Sequence, residues 1–467
     1  MRLPGSGEVT DALATSRAER KRAELRSKLA GLQDELAAWT AATGGPGAAL
    51  PRHHSQVEAV VRSLRVTLGA VLPAADTDQT DDATLLRTWA QTEEDLLAVH
   101  EIWDYFRQKL ALRYVPAFEP YLRMADDFAY ACYLPAQQHG AGHGVAAEQL
   151  RAPPLVFLGR VATPYALARG ASYAAEVNPA VLTAAEILDA VARLPIPVVG
   201  VPWFQLRHLP DALVIGHEVG HHVANDFRLE GTAAALVDAA LLDRQAPADR
   251  RASWQGWLPE VFADVYGVLA AGPAYLCALA DFVPTGPHAA AGSAGYPPAG
   301  TRVRLAAAAS LATTPPGTPT DVEQGVLERW RADFADEETS AYHDDAPAVA
   351  AAVLGGPYPE LGGAALTEVL TFADRRTRAD VHARALLQHQ ALDPGIDVRV
   401  LLAATALAFA ADPTGYEANQ ATSRVLAHAQ RIEARGLRAT TPTTRRPAAD
   451  HTAGEALAAL LATRHPR

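Results

Sequence analysis

Leu209-Pro-Asp-Ala-Leu-Val-Ile-Gly-His217-Glu218-Val-Gly-His221-His222-Val-Ala-Asn-Asp-Phe227 is the stretch from which the rest of the chain is read. Pro210 and Asp211 suit a first helical turn: the missing proline N–H is not needed there, and the aspartate charge faces the positive end of the helix dipole. Ile215, Val219, Val223 and Phe227 recur every four residues and predict an apolar stripe. On a neighbouring face His217 and His221 fall one turn apart, the H-E-x-x-H spacing of a zinc-binding helix, with Glu218 on the side where a water would be activated. Chance supplies roughly 0.03 such matches in 467 residues containing 16 His, so the surroundings must decide.

A second predicted helix, Trp257-Leu-Pro-Glu260-Val-Phe-Ala-Asp264-Val-Tyr-Gly-Val-Leu269, supplies them. Val261, Val265, Val268 and Leu269 form its packed stripe. Two carboxylates on such a helix are costly to bury unless compensated. Glu260 and Asp264 stand one turn apart, so both can face one cation: Glu260 as third ligand, Asp264 behind, accepting the free ring N–H of a ligand histidine.

H-E-x-x-H followed by Glu260-Val-Phe-Ala263-Asp264 resembles the gluzincin zinc metallopeptidases, and among them looks most like the CAAX-prenyl-protease and heat-shock membrane peptidase family. That family tends to carry a His-Pro-Pro segment ending in Arg; Tyr296-Pro297-Pro298-Ala-Gly-Thr-Arg302 stands here, with tyrosine in the place of histidine. The resemblance covers roughly residues 150 to 310. It implies a zincin-like catalytic core, a Zn2+ cofactor on His217, His221 and Glu260, Glu218 as general base, and a peptide or protein substrate. Tyr296 would take the transition-state role, since a tyrosine O–H can donate to an oxyanion. In these enzymes an edge strand before the zinc helix binds peptide by strand addition, and Ile196-Pro-Val-Val-Gly-Val-Pro-Trp203 reads as such an edge strand because of its prolines.

Composition bounds the remaining readings. A net charge of −12, from 41 basic and 53 acidic residues, argues against nucleic acid as a partner. Two cysteines, Cys132 and Cys277, make no disulfide framework and are expected to be buried thiols. No apolar run at Met1 to Gly7 marks a signal peptide, and the longest apolar stretch, Val400 to Ala411, falls short of a membrane span, so a cytoplasmic protein is expected. Abundant alanine and a preference for Arg over Lys fit a bacterial genome rich in G and C.

The expected fold is α+β and predominantly helical: an N-terminal helical region over 1–150, a zincin-like core with a small sheet over 151–312, and a C-terminal helical region over 321–467. Leu25, Leu29, Leu32, Leu36 and Trp39 form a two-heptad seam, suited to a helix pair within the chain or to self-association. Helices are expected near 55–72, 83–113 and 118–133, with Gln137 to Gly144 as a flexible loop. Leu155 to Leu158 reads as a strand, Gly231 to Leu242 as a helix, and Asp243 to Ser253 as a polar loop with Asp249-Arg250-Arg251 in solvent. Thr313 to Thr320 is a breaker cluster, followed by helices near 321–338, 364–373, 376–391, 397–411 and 416–435. Two other functions fit the sequence: a helical interaction or scaffold protein with a structural or inactive zincin core, and a zinc hydrolase of non-peptide amides.

Overall fold

The computed structural model describes residues 16–44, 53–71, 81–143, 154–159, 165–166, 196–283, 295–334, 341–431 and 446–462, with a few single positions between them. The protein is predominantly helical with one small sheet. It divides into two compact units, one built from 1–110, 170–196 and 436–467, the other from 111–169 and 197–435.

In the first unit lie α1 (Arg17–Gly44), α2 (His54–Val71), α3 (Asp82–Ala111) and the C-terminal helix Arg446–Ala462. The heptad seam of α1 is used within the chain. Leu25 packs with Leu85 against Leu86 and Trp89 of α3, Trp39 meets Trp103 edge to face, and the Trp103 indole N–H donates to Glu35 at 2.9 Å. Ser63 and Thr67 on α2 donate to the carbonyls of Asp450 and Gly454, so small polar residues let the C-terminal helix lie close.

In the second unit α4 (Glu119–Gly142) is followed by β1 (Leu155–Gly159), β2 (Tyr165–Ala166) and β3 (Val198–Pro202). The sheet order is β1-β3-β2, with β1 and β3 parallel and β2 antiparallel to β3. This corrects the edge-strand reading of Ile196 to Trp203. Its prolines, Pro197 and Pro202, fall outside or at the end of the strand, where no ladder N–H is missed, so the interior residues Val199 and Gly200 pair on both sides. A buried ion pair fastens β1 to α4: Arg113 donates to both Asp126 oxygens and to the Val156 carbonyl. α4 itself runs through the residues expected as a loop from Gln137, with Pro135 inside the helix and His139 anchored on the Leu361 carbonyl at 3.0 Å. A tertiary partner 222 residues away offsets the weak local helix preference of its glycines.

Beyond β3 come α5 (Trp203–Arg207), a 3-10 turn over Leu209–Leu213, and α6 (Val214–Asp226), then α7 (Glu230–Asp243), α8 (Ala248–Gly256), α9 (Leu258–Ala271) and α10 (Pro273–Phe282). The expected polar loop at Asp243 to Ser253 is therefore helical from Ala248. Its charged run is not simply solvated: Arg250 lies 2.8 Å from the buried Asp345, and Arg251 pairs with Asp238. Next are α11 (Ala299–Ala312), α12 (Asp321–Asp333) and α13 (Ala341–Gly355), the last absent from the sequence expectations. Finally α14 (Leu366–Val369), α15 (Arg376–Leu387), α16 (Val398–Ala411), α17 (Pro413–Ala418) and α18 (Ala421–Arg431) complete the unit. Cys132 and Cys277 are buried free thiols, as expected. Among the described residues no helix is long and apolar enough to cross a membrane.

Close backbone approach sets α6 against α9, which together carry the histidines and the carboxylates. Gly216 and Gly220 face Ala263, Gly267 and Ala270; a Cβ at Gly220 would meet the Tyr266 Cβ at 2.8 Å and the Ala263 Cα at 3.0 Å. Only hydrogen at that position lets the helix backbones approach so closely, and this brings side chains of both helices to one point. Arg399 then closes the end of α9, donating to the carbonyls of Leu269 and Ala270 and to Thr371. There Gly272 takes a positive φ of 59° that a side chain would resist.

Candidate metal centre

The stripe Ile215, Val219, Val223 and Phe227 is fully buried, and it orients α6 so that His217 and His221 face α9. His222, on another face, donates its Nε2–H to the Val198 carbonyl at 3.1 Å and ties the helix to the sheet. The two ligand candidates meet: His217 Nε2 lies 3.1 Å from His221 Nε2. Glu260 reaches both, with Oε2 at 3.3 Å from His217 Nε2 and Oε1 at 3.4 Å from His221 Nε2. These three residues are a group able to hold a metal ion.

The donor set fits a small tetrahedral cation. Bonds of about 2.0–2.1 Å separate neighbouring ligand atoms by roughly 3.3–3.4 Å. The two Nε2 atoms are 3.1 Å apart, and Glu260 sets one oxygen against each of them, Oε2 at 3.3 Å from His217 and Oε1 at 3.4 Å from His221. Two nitrogens and one carboxylate oxygen leave a fourth position, as three-ligand catalytic zinc sites do.

Asp264, wholly buried, stands behind these three residues. Its Oδ1 accepts from His217 Nδ1 at 2.9 Å, and Arg302 donates to both its oxygens at 2.8 Å. A carboxylate can only accept, so the shared hydrogen belongs to Nδ1, and Nε2 is the atom that faces Glu260 and His221 and would bind a metal once deprotonated. Arg302 also reaches to 3.6 Å from Glu260 Oε2.

The electrostatics of the side chains agree. Burial alone would push His217 down, yet Asp264 and Glu260 raise it to about 10. Burial would push Glu260 up, but His217 and His221 hold it well below the usual carboxylate range. Against its own burial, Arg302 keeps Asp264 at about 2. A field that holds a proton on a buried imidazole is one that also attracts a metal cation. Glu218 is different: burial raises its carboxyl, the nearby histidines counter only in part, and it remains above the ordinary range.

Tyr296 is 54% exposed and lies just before α11. His343-Asp344-Asp345 is a His/Asp run whose consecutive residues would converge on one ion only through a tight turn, and it forms no metal site among the described residues. His343 and Asp345 are buried, and Asp345 accepts from the Trp254 indole N–H at 3.1 Å.

Two participants escaped the sequence reading. Tyr275, buried on α10, donates to Asp264 Oδ1 at 2.7 Å, and Arg302, noted only for its offset, is the main partner of Asp264. Gly267, one turn beyond Asp264, makes room for Tyr275: a Cβ there would strike its ring at 2.6 Å. No protein-family model, curated protein or solved structure matches this chain.

Proposed function

We propose that this protein is a metal-dependent hydrolase and, more narrowly, a zinc metallopeptidase of gluzincin type. The observation that carries the reading is the meeting of His217, His221 and Glu260 at one point, with the buried Glu218 carboxyl next in sequence to a ligand. Zinc in such a site supplies a Lewis acid and lowers the pKa of water to about 7.

The remaining steps belong to the chain. His217 and His221 would offer their Nε2 atoms to the metal, with the His217 ring held at Nδ1 by Asp264. Glu218, whose carboxyl burial raises above the ordinary range, is the group that would take a proton from the attacking water and deliver it to the leaving amine. Tyr296, exposed enough for a substrate to reach, is the proposed donor to the developing oxyanion. A peptide bond is favoured over other amides by the likeness of the motif set to gluzincins. Strand addition at β3 is not part of the mechanism, because Val199 and Gly200 already pair on both sides.

Glu218→Gln keeps the shape of the side chain and removes the base. Peptide hydrolysis should fall by roughly 10²–10⁴ while the metal stays bound. Hydrolysis at the parental rate would remove Glu218 from the mechanism and the peptidase assignment with it. Tyr296→Phe should slow turnover and leave metal content unchanged; equal rates on every substrate tested would take Tyr296 out of the site.

A further inference from the structure

We propose that Tyr275 is a positioning residue of the metal centre: its phenol locks the Asp264 carboxylate in the orientation that keeps His217 in its metal-binding tautomer. This rests on the metal-centre reading above.

The phenol oxygen is 2.7 Å from Asp264 Oδ1 and 3.3 Å from His217 Nδ1, while Nδ1 and Oδ1 are themselves 2.9 Å apart. Three polar atoms thus close a small triangle inside a site with no solvent access to Tyr275 or Asp264. The phenol has a single hydrogen. Given to Nδ1, it would demand an unprotonated Nδ1 and place the ring hydrogen on Nε2, where a ligand lone pair is needed. Given to Asp264, it leaves Nδ1 free to donate to the same oxygen. The shorter distance selects the second arrangement.

Asp264 Oδ1 then receives three donors, from His217, Tyr275 and Arg302, and Oδ2 receives a fourth from Arg302. The carboxylate cannot rotate without breaking all of them. Space for the phenol is built in, since the glycine at 267 is what admits the Tyr275 ring. Phenylalanine would fill the same space without burying a hydroxyl, so the oxygen is there for its hydrogen bonds. Partners that orient a ligand histidine typically contribute 10–100-fold to metal affinity.

The test uses the full-length protein, stripped with a chelator and titrated with Zn2+ against a chelating dye, and with Co2+ followed by its visible absorption. Tyr275→Phe should bind Zn2+ roughly tenfold more weakly and shift the Co2+ bands, with an unfolding temperature before metal addition close to that of the parent. In an Asp264→Asn background the same substitution should cause no further loss, because the phenol acts through that carboxylate. Unchanged affinity and bands in folded Tyr275→Phe overturn the proposal. So does an equal further loss in the Asp264→Asn background, or a Tyr275→Phe chain that does not fold, since each places the role of the hydroxyl in packing. An unsubstituted chain that takes up no Zn2+ contradicts the metal-centre reading itself, and the inference falls with it.

Discussion

Two of the buried arginine–carboxylate clusters in the second unit use the same ingredients to opposite ends. In one, Arg376 donates to both oxygens of Glu323, Ser310 donates to the same carboxylate at 2.6 Å, and Arg376 uses its remaining reach on Thr314 and the Pro319 carbonyl. Donors and acceptors answer one another, and the cluster closes on itself. In the other, Arg302 satisfies Asp264, but the next layer does not close: two imidazole Nε2 atoms and a carboxylate face each other across 3.1–3.4 Å. Burial and charge are common to both. The convergence of lone pairs on one point distinguishes a binding centre from a structural staple.

That contrast can be broken at several places. The largest effect on stability belongs to the closed cluster: Glu323→Ala strands Arg376 in the interior, and should cost about 3–5 kcal/mol in denaturant unfolding. Zinc content per folded chain should not change. A loss of metal would mean that the two clusters are not separate devices.

A smaller effect on folding and a larger one on metal are expected from Asp264→Asn. Zinc affinity should drop roughly 10–100-fold, measured by competition with a chelator. The pH dependence has a definite sign. Asp264 is held at about 2, below its usual 3.8, so its contribution to stability is full above about pH 4 and is lost as pH falls toward 2. Unfolding curves of the parent and Asp264→Asn should therefore differ most near neutrality and draw together at the acid end. A constant separation over that range would show that Arg302 does not hold the carboxyl down.

Much of the centre was legible before any coordinates. His217, Glu218 and His221 declare themselves because helical spacing puts i and i+4 on one face, and Glu260 with Asp264 repeats the same arithmetic on α9. Periodic apolar positions likewise mark α1 to α3 and α16. What local pattern does not contain is who stands opposite. The place of β3 depends on β1 and β2, whose pairing is set by contacts across the chain. Arg250, in a stretch expected as a polar loop, and Asp345, on the unexpected helix α13, are partners 95 positions apart, and each makes sense only beside the other. Tyr275 is hidden for the same reason: nothing about one tyrosine near a helix start says that it faces Asp264.

The central claim is that His217, His221 and Glu260 hold one metal ion between them. The most direct measurement is zinc per chain, by elemental analysis, in the purified protein beside a Glu260→Ala variant. About one zinc in the parent, lost or greatly weakened in the variant, is the result expected of a three-ligand centre. No zinc in either protein after zinc has been offered would contradict it, and would leave the two helices as a packed pair whose histidines serve the fold alone.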